Sequence, residues 1–217
     1  HNPRRMPGAL RRAVFFDRDG TLNEMVYNPT HGTLDSPMNA DQVQLLPGAA
    51  EALTRLRALG YLLIVVTNQP GIAKGTLDAA GLDRIHQRLS DLLHDGGAWW
   101  DALYFCPHHP TRGTRPEFIV DCACRKPKPG LLLAAARDCG IDLGRSWMVG
   151  DGLVDIEAGR AAGCRTILVT ALKLEQIEKF IQFKAIPDYI LPRLAEVPGT
   201  VRMVDSRDPD EDSAKGN

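Results

Sequence analysis

The chain has no apolar run approaching the roughly 20 residues that a membrane-spanning helix needs. It also lacks an excess of charge of either sign: 26 Lys and Arg against 27 Asp and Glu leave a formal net charge of -1. That balance supplies neither the basic track of a nucleic-acid binder nor any pull toward an acidic membrane surface. Residues 1–13 hold Arg, Pro and Gly without an apolar h-region, so no secretory signal is expected and the cytoplasm is the expected compartment. No internal repeat is present, which sets aside solenoids and arrays. The five cysteines are odd in number and unevenly spaced, unlike a disulfide framework.

What is present suits one ordinary α/β domain. The 217 residues, 44% hydrophobic and 24% charged, can bury a sizeable core. Ala13-Val14-Phe15-Phe16 predicts a short buried strand, and Tyr61 to Val66 a central parallel strand. Further strands are expected at Ala102–Phe105, Trp147–Val149, Thr166–Val169 and, at an edge, Tyr189–Leu191. Helical spacing recurs in Ala52, Leu53, Leu56 and Leu59, and again in Leu82, Ile85, Leu89, Leu92 and Leu93. Helices are also expected from Gly130 to near Gly140, over Asp155–Ala162 and over 173–184. This alternation predicts a Rossmann-like parallel sheet with helices on both faces and no large cap domain. The domain is expected over 13–203, between a flexible arm at 1–12 and a disordered tail at 204–217.

In such sheets ligands bind beyond the carboxyl ends of the strands, and the polar outliers fall there. Asp17 and Asp19 follow the first strand, Thr67 and Asn68 the second, and Asp151 a later one. A carboxylate can attack phosphorus and split phosphoryl transfer into two steps, while a second carboxylate handles the protons. Gly20 lets the backbone approach a phosphate, and Thr67 and Asn68 offer donors to its oxygens. Two carboxylates facing an anion need a cation, and oxygen-only ligands favour magnesium, with Asp151 as a third contributor. Asp155 suits either an outer contact of that site or an N-cap of its helix. Arg125-Lys126-Pro127-Lys128 precedes a helix, where cations oppose the macrodipole unless an anion joins them, so Lys126 or Lys128 is expected on a phosphoryl group. Cys106, Cys122 and Cys124 share a polar loop with His108 and His109, enough for a tetrahedral zinc staple. Cys139 and Cys164, in apolar surroundings, are core residues.

The runs Phe16-Asp17-Arg18-Asp19-Gly20-Thr21, Val66-Thr67-Asn68-Gln69, Arg125-Lys126-Pro127 and Val149-Gly150-Asp151 together resemble the haloacid dehalogenase superfamily, across residues 14–170. The resemblance implies Asp17 as nucleophile, Asp19 as general acid/base, and Thr67 and Lys126 as phosphate stabilisers. Magnesium would lie on Asp17, Asp151 and the Asp19 carbonyl, and Arg18, Gly20, Asn68, Gln69 and Arg125 would contact substrate. Cys-Pro-His-His followed by Cys-x-Cys-Arg-Lys-Pro is similar to the branch holding heptose bisphosphate and histidinol phosphatases. There zinc would be held by Cys106, His108, Cys122 and Cys124, directly ahead of Arg125. The implied substrate is a small phosphate ester, the 7-phosphate of D-glycero-D-manno-heptose 1,7-bisphosphate on the route to lipopolysaccharide, with histidinol phosphate as the alternative and a monomer expected. Gly152 stands where the heptose enzymes carry Lys, and the segment from Asn23 to Gln44 is longer than theirs. A receiver-like signalling domain also combines Asp, Thr and Lys, but its phosphoacceptor lies on a later strand. A zinc-knuckle interaction module on a dead enzyme is disfavoured by the intact acidic set.

Overall fold

The computed structural model describes residues 9–29, 32–170, 180, 182 and 185–207. In chain order the elements are β1 (Ala13–Phe16), β2 (Val26–Asn28), β3 (Thr33–Asp35), α1 (Ala49–Ala58), β4 (Leu62–Asn68), α2 (Gly71–Lys74), α3 (Ala79–Asp95), β5 (Ala102–Cys106) and α4 (Gly130–Cys139). They continue with β6 (Trp147–Gly150), α5 (Leu153–Ala162), β7 (Arg165–Val169), β8 (Tyr189–Leu191) and α6 (Val197–Asp205). The helix expected over 173–184 lies outside the described residues except at 180 and 182.

Six strands pair in the order β5-β4-β1-β6-β7-β8, every neighbouring pair parallel. The period of two in β1 divides the core. Val14 and Phe16 face one layer, with Leu53 and Leu56 of α1, Leu82, Ile85 and Leu89 of α3 and Val201 of α6. Ala13 and Phe15 face the other, with Leu131, Leu132 and Ala135 of α4 and Ala158 of α5. All four β1 residues are buried, and burying a side chain the size of Phe15 contributes roughly 2–3 kcal/mol. Such double-sided burial explains why β1 and β6 are continuous apolar runs rather than alternating ones.

The chain proceeds from β1 to β4 and β5 on one side, then crosses to β6, β7 and β8 on the other. The order therefore reverses between β1 and β6, which opens a crevice at their carboxyl ends. The long segment before α1 forms the antiparallel hairpin β2–β3 and a single 3-10 turn, not a cap domain. Its stem is tied down where Glu24 N–H donates to Gln44 O and Leu46 N–H to Leu22 O.

Arg12 reaches Asp205 at 3.1 Å, so the residue before β1 is held by the end of α6, and α6 runs into the segment expected as tail. The helix after Asp151 starts at Leu153, two residues earlier than expected. Asp155 thus lies inside α5 and accepts from Gly152 N–H at 3.1 Å; it is not the N-cap residue.

Candidate active site

Four chain segments meet at the crevice. β1 delivers Asp17, whose N–H donates to Val149 O at 3.0 Å and so pins the loop to β6. The loop then folds on itself: the N–H groups of Leu22 and Asn23 both donate to Arg18 O, and Gly20 N–H donates to Asn23 O. Gly20 has φ +81°, and a Cβ there would collide with the Asp151 carboxylate. Only glycine lets the loop from β1 and the loop from β6 approach this closely.

Carboxylate oxygens of Asp17, Asp151 and Asp155 all lie within 4.8 Å of one another. Lys126 enters from the loop ahead of α4 and is 2% exposed. Its ammonium donates to Asp17 Oδ1 at 2.7 Å and to Val66 O at 2.8 Å, and pairs with Asp155 Oδ1 at 2.6 Å. Burial alone would drive a lysine toward neutrality, but the charges of Asp155 and Asp17 overcome it and raise its pKa. Burial first, and then the charge of Asp155, push Asp17 up to about 7. Burial and the charge of Asp17 push Asp151 up to about 6, and burial raises Asp155. Three carboxylates against one ammonium leave two negative charges in excess. One divalent cation would cancel them, and an all-oxygen donor set fits a hard ion such as magnesium.

The charge of Lys126 is balanced by Asp17 and the buried Asp155, whereas Lys128 turns outward to Asp121. The backbone of Lys126 is clipped in place by Asn68, whose amide accepts from Lys126 N–H and donates to Lys126 O, both at 3.0 Å.

The carboxylate of Asp19, a residue expected to reach the metal through its carbonyl, stands apart from the acidic cluster. Arg18 forks onto it, Nε to Oδ1 and Nη2 to Oδ2, each at 2.9 Å. Asn23 Nδ2 donates to Oδ1 at 3.0 Å and Gln69 Nε2 to Oδ2 at 2.8 Å. Burial would raise the pKa of Asp19, but the Arg18 guanidinium and these donors hold it below the usual carboxylate value. Arg18, expected to touch substrate, is 0% exposed and turned inward. Asn68 and Gln69 likewise spend their amides on Lys126, Asp19 and Thr67. Asn23 and Asp155 complete the site. Sequence reasoning passed over Asn23 because a loop amide carries no pattern of its own. Arg125 is half-buried and donates to His108 O at 3.1 Å.

A second cluster stands beside this crevice at the end of β5. Cys106, His108, Cys122 and Cys124 converge within 4.8 Å through three sulfurs and His108 Nδ1. The sulfurs lie 3.5 Å (Cys106–Cys122) and 3.3 Å (Cys122–Cys124) apart, and His108 Nδ1 lies 3.6 and 3.4 Å from Cys106 and Cys124. A tetrahedral zinc with Zn–S bonds of about 2.3 Å needs edges of nearly this length. His109 is elsewhere engaged: its Nδ1 accepts from the N–H groups of Thr111 and Arg112. Cys139 and Cys164 pack among apolar residues as expected.

Comparison with known proteins agrees with this arrangement. Residues 123–197 match the HAD-hydrolase-like family. Over 198 residues the chain is 39% identical to D-glycero-beta-D-manno-heptose-1,7-bisphosphate 7-phosphatase of Pasteurella multocida (strain Pm70), covering 91% of this chain and 100% of the relative. Among solved structures, a HAD-like phosphatase from Mesorhizobium loti superposes with a TM-score of 0.74 at 29% identity, over 94% of this chain and 92% of that one. D,D-heptose 1,7-bisphosphate phosphatase from B. bronchiseptica, complexed with magnesium and phosphate, superposes with a TM-score of 0.71 at 31% identity, over 89% and 99%.

Proposed function

The chain belongs to the haloacid-dehalogenase-like phosphatases, in the group that contains the D-glycero-beta-D-manno-heptose-1,7-bisphosphate 7-phosphatases, and from this we propose that it removes the 7-phosphate of D-glycero-beta-D-manno-heptose 1,7-bisphosphate. The observation that carries the reading is the pairing of the buried Lys126 with Asp17 inside an acidic cluster where the strand order reverses.

Asp17 is the nucleophile. One of its oxygens attacks phosphorus, the bond from phosphorus to the ester oxygen breaks, and Asp19, having first taken up a proton from solvent, gives it to that oxygen. Asp19 then takes a proton from water, which attacks the aspartyl phosphate, frees inorganic phosphate and restores Asp17. Lys126 and the Thr67 hydroxyl face the charge that builds on the phosphoryl oxygens. Asp17, Asp151 and the Asp19 carbonyl would hold magnesium, with Asp155 behind them, and the ion would neutralise charge and orient the phosphate. Cys106, His108, Cys122 and Cys124 would hold a structural zinc. Zinc there fixes Cys124 and hence the backbone of its neighbour Arg125, which is placed to select substrate.

The same reading makes this a monomeric cytoplasmic enzyme of nucleotide-heptose and lipopolysaccharide precursor synthesis. The relatives' names support the heptose bisphosphate substrate, and among the described residues no helix is long and apolar enough to cross a membrane.

The test is a magnesium-dependent assay on heptose 1,7-bisphosphate, fructose 1,6-bisphosphate and histidinol phosphate. Heptose bisphosphate is expected to show the highest kcat/KM, and Asp17→Asn to lose about a thousandfold or more of it. Preference for histidinol phosphate would overturn the substrate, and near-normal turnover by Asp17→Asn would overturn the mechanism.

A further inference from the structure

A carboxylate has about four lone-pair sites, two on each oxygen. In Asp19 all four are taken: the Arg18 fork fills one on each oxygen, Asn23 a second on Oδ1 and Gln69 a second on Oδ2. A group that exchanges a proton with an ester oxygen needs a free site, so one of these donors must yield. Arg18 cannot easily do so. Its side chain is fully buried, Asp19 supplies its counter-charge, and Nη1 already lacks a partner. Separating the two would strand a charge in the interior.

Asn23 is no freer. Its amide also donates to Glu24 O, and its backbone is bonded to Arg18 O and Gly20 N–H, so it moves only if the whole loop moves. Gln69 differs. It stands at the end of β4, 3% exposed, and its Nε2 divides two hydrogens between Asp19 Oδ2 at 2.8 Å and Thr67 Oγ1 at 2.9 Å. One amide therefore touches both the hydroxyl on the phosphate side and the carboxylate on the leaving-group side.

We propose that Gln69 is a positioning residue that gates Asp19: its amide occupies Oδ2 in the free enzyme and, when Thr67 engages a phosphoryl group, yields that place to a proton from solvent, which Asp19 then passes to the ester oxygen. Asp19 keeps its fork with Arg18 throughout, and only the Gln69 contact is exchanged. This rests on the role of Asp19 given above and adds to it the residue that controls access.

The test compares two esters in single-turnover release of the leaving group with magnesium. Heptose 1,7-bisphosphate leaves as an alkoxide and needs a proton; p-nitrophenyl phosphate leaves as a stable phenolate and does not. Gln69→Met and Gln69→Ala, lacking the restraint, are expected to raise the alkyl-to-aryl ratio of release rates about three- to tenfold. A Gln69 that merely supports the fold would change both rates alike, and an unchanged or lowered ratio overturns the gate. Asp19→Asn separates the two layers: it should lower the ratio strongly, and if it does not, the acid/base reading itself fails. Should both Gln69 variants misfold, the Gln69 side-chain amide resonance in Asp17→Asn enzyme gives the answer. It is expected to shift when heptose bisphosphate is added with magnesium, and a stationary resonance overturns the proposal.

Discussion

Lys126 and Asp155 show how much of the site is settled by single contacts in the interior. Each side chain is 1% exposed, they meet at 2.6 Å, and Asp155 also accepts from Gly152 N–H. Asp155→Ala would leave a buried ammonium short of one partner and a backbone donor without its acceptor. The expected loss is about 3–5 kcal/mol, read from urea unfolding without metal. Asp155→Asn keeps the accepting oxygen and should lose about half as much; equal losses in both variants would mean that Asp155 supplies its charge alone and that the accepting oxygen contributes nothing. At this scale the sequence was legible in type more than in direction. Asp17, Thr67 and Asp151 stand out because each closes or follows an apolar run, and Lys126 because it lies in a cationic cluster ahead of a helix. Nothing in the sequence says that Arg18 turns back onto its own neighbour Asp19, or that Gln69 reaches Asp19 from the far side of the crevice. Asp155 could be read two ways because a helix cap and a lysine partner call for the same side chain.

Between β5 and α4, the loop at 107–124 carries little apolar material, yet it holds a defined path. Short backbone bonds sustain it, His109 N–H to Phe118 O at 3.1 Å and Thr114 N–H to Ala73 O at 3.0 Å among them. Those bonds tie it to itself and to α2, but the turn from Cys106 to Cys124 is closed by the sulfur and imidazole cluster. With zinc bound there, Cys122→Ser should release the metal and speed hydrogen exchange across 107–124 by at least about tenfold. KM should rise through Arg125, while magnesium affinity stays unchanged. Protein purified without chelator that contains no zinc would count decisively against the staple. The cysteine spacing made this element legible, with the choice of His108 over His109 coming from the family resemblance. The hairpin β2–β3 was not legible: its strands have three residues each, too few for a periodic signal, and only its pairing defines it.

The sheet as a whole followed from alternating buried runs and helical faces, because a strand covered on both sides must be apolar at every position. What alternation cannot supply is the order of the strands, and that order is what brings residues far apart in sequence to one crevice. The same packing sets a limit on acid stability through His86. It sits on α3 against the ring of Phe105, with ring centroids 5.7 Å apart, and its Nε2 is buried without a hydrogen-bond partner. Burial, and next the Arg18 charge, push it down to about 4, against a smaller opposing pull from Asp19. A histidine whose pKa is depressed by folding contributes stability above its unfolded value of about 6.5, and that contribution fades as pH falls through the folded value. Between pH 6.5 and 4 the unfolded chain binds the extra proton, so acid favours unfolding. Because His86 is partly exposed, the shift is discounted to about 2 kcal/mol. His86→Leu removes this one titration and leaves every other group in place. The difference in unfolding free energy between wild type and variant should therefore be constant above pH 7. It should move by about 2 kcal/mol in the variant's favour by pH 4. Parallel stability profiles for the two proteins over that range would show that His86 is protonated as readily in the fold as outside it.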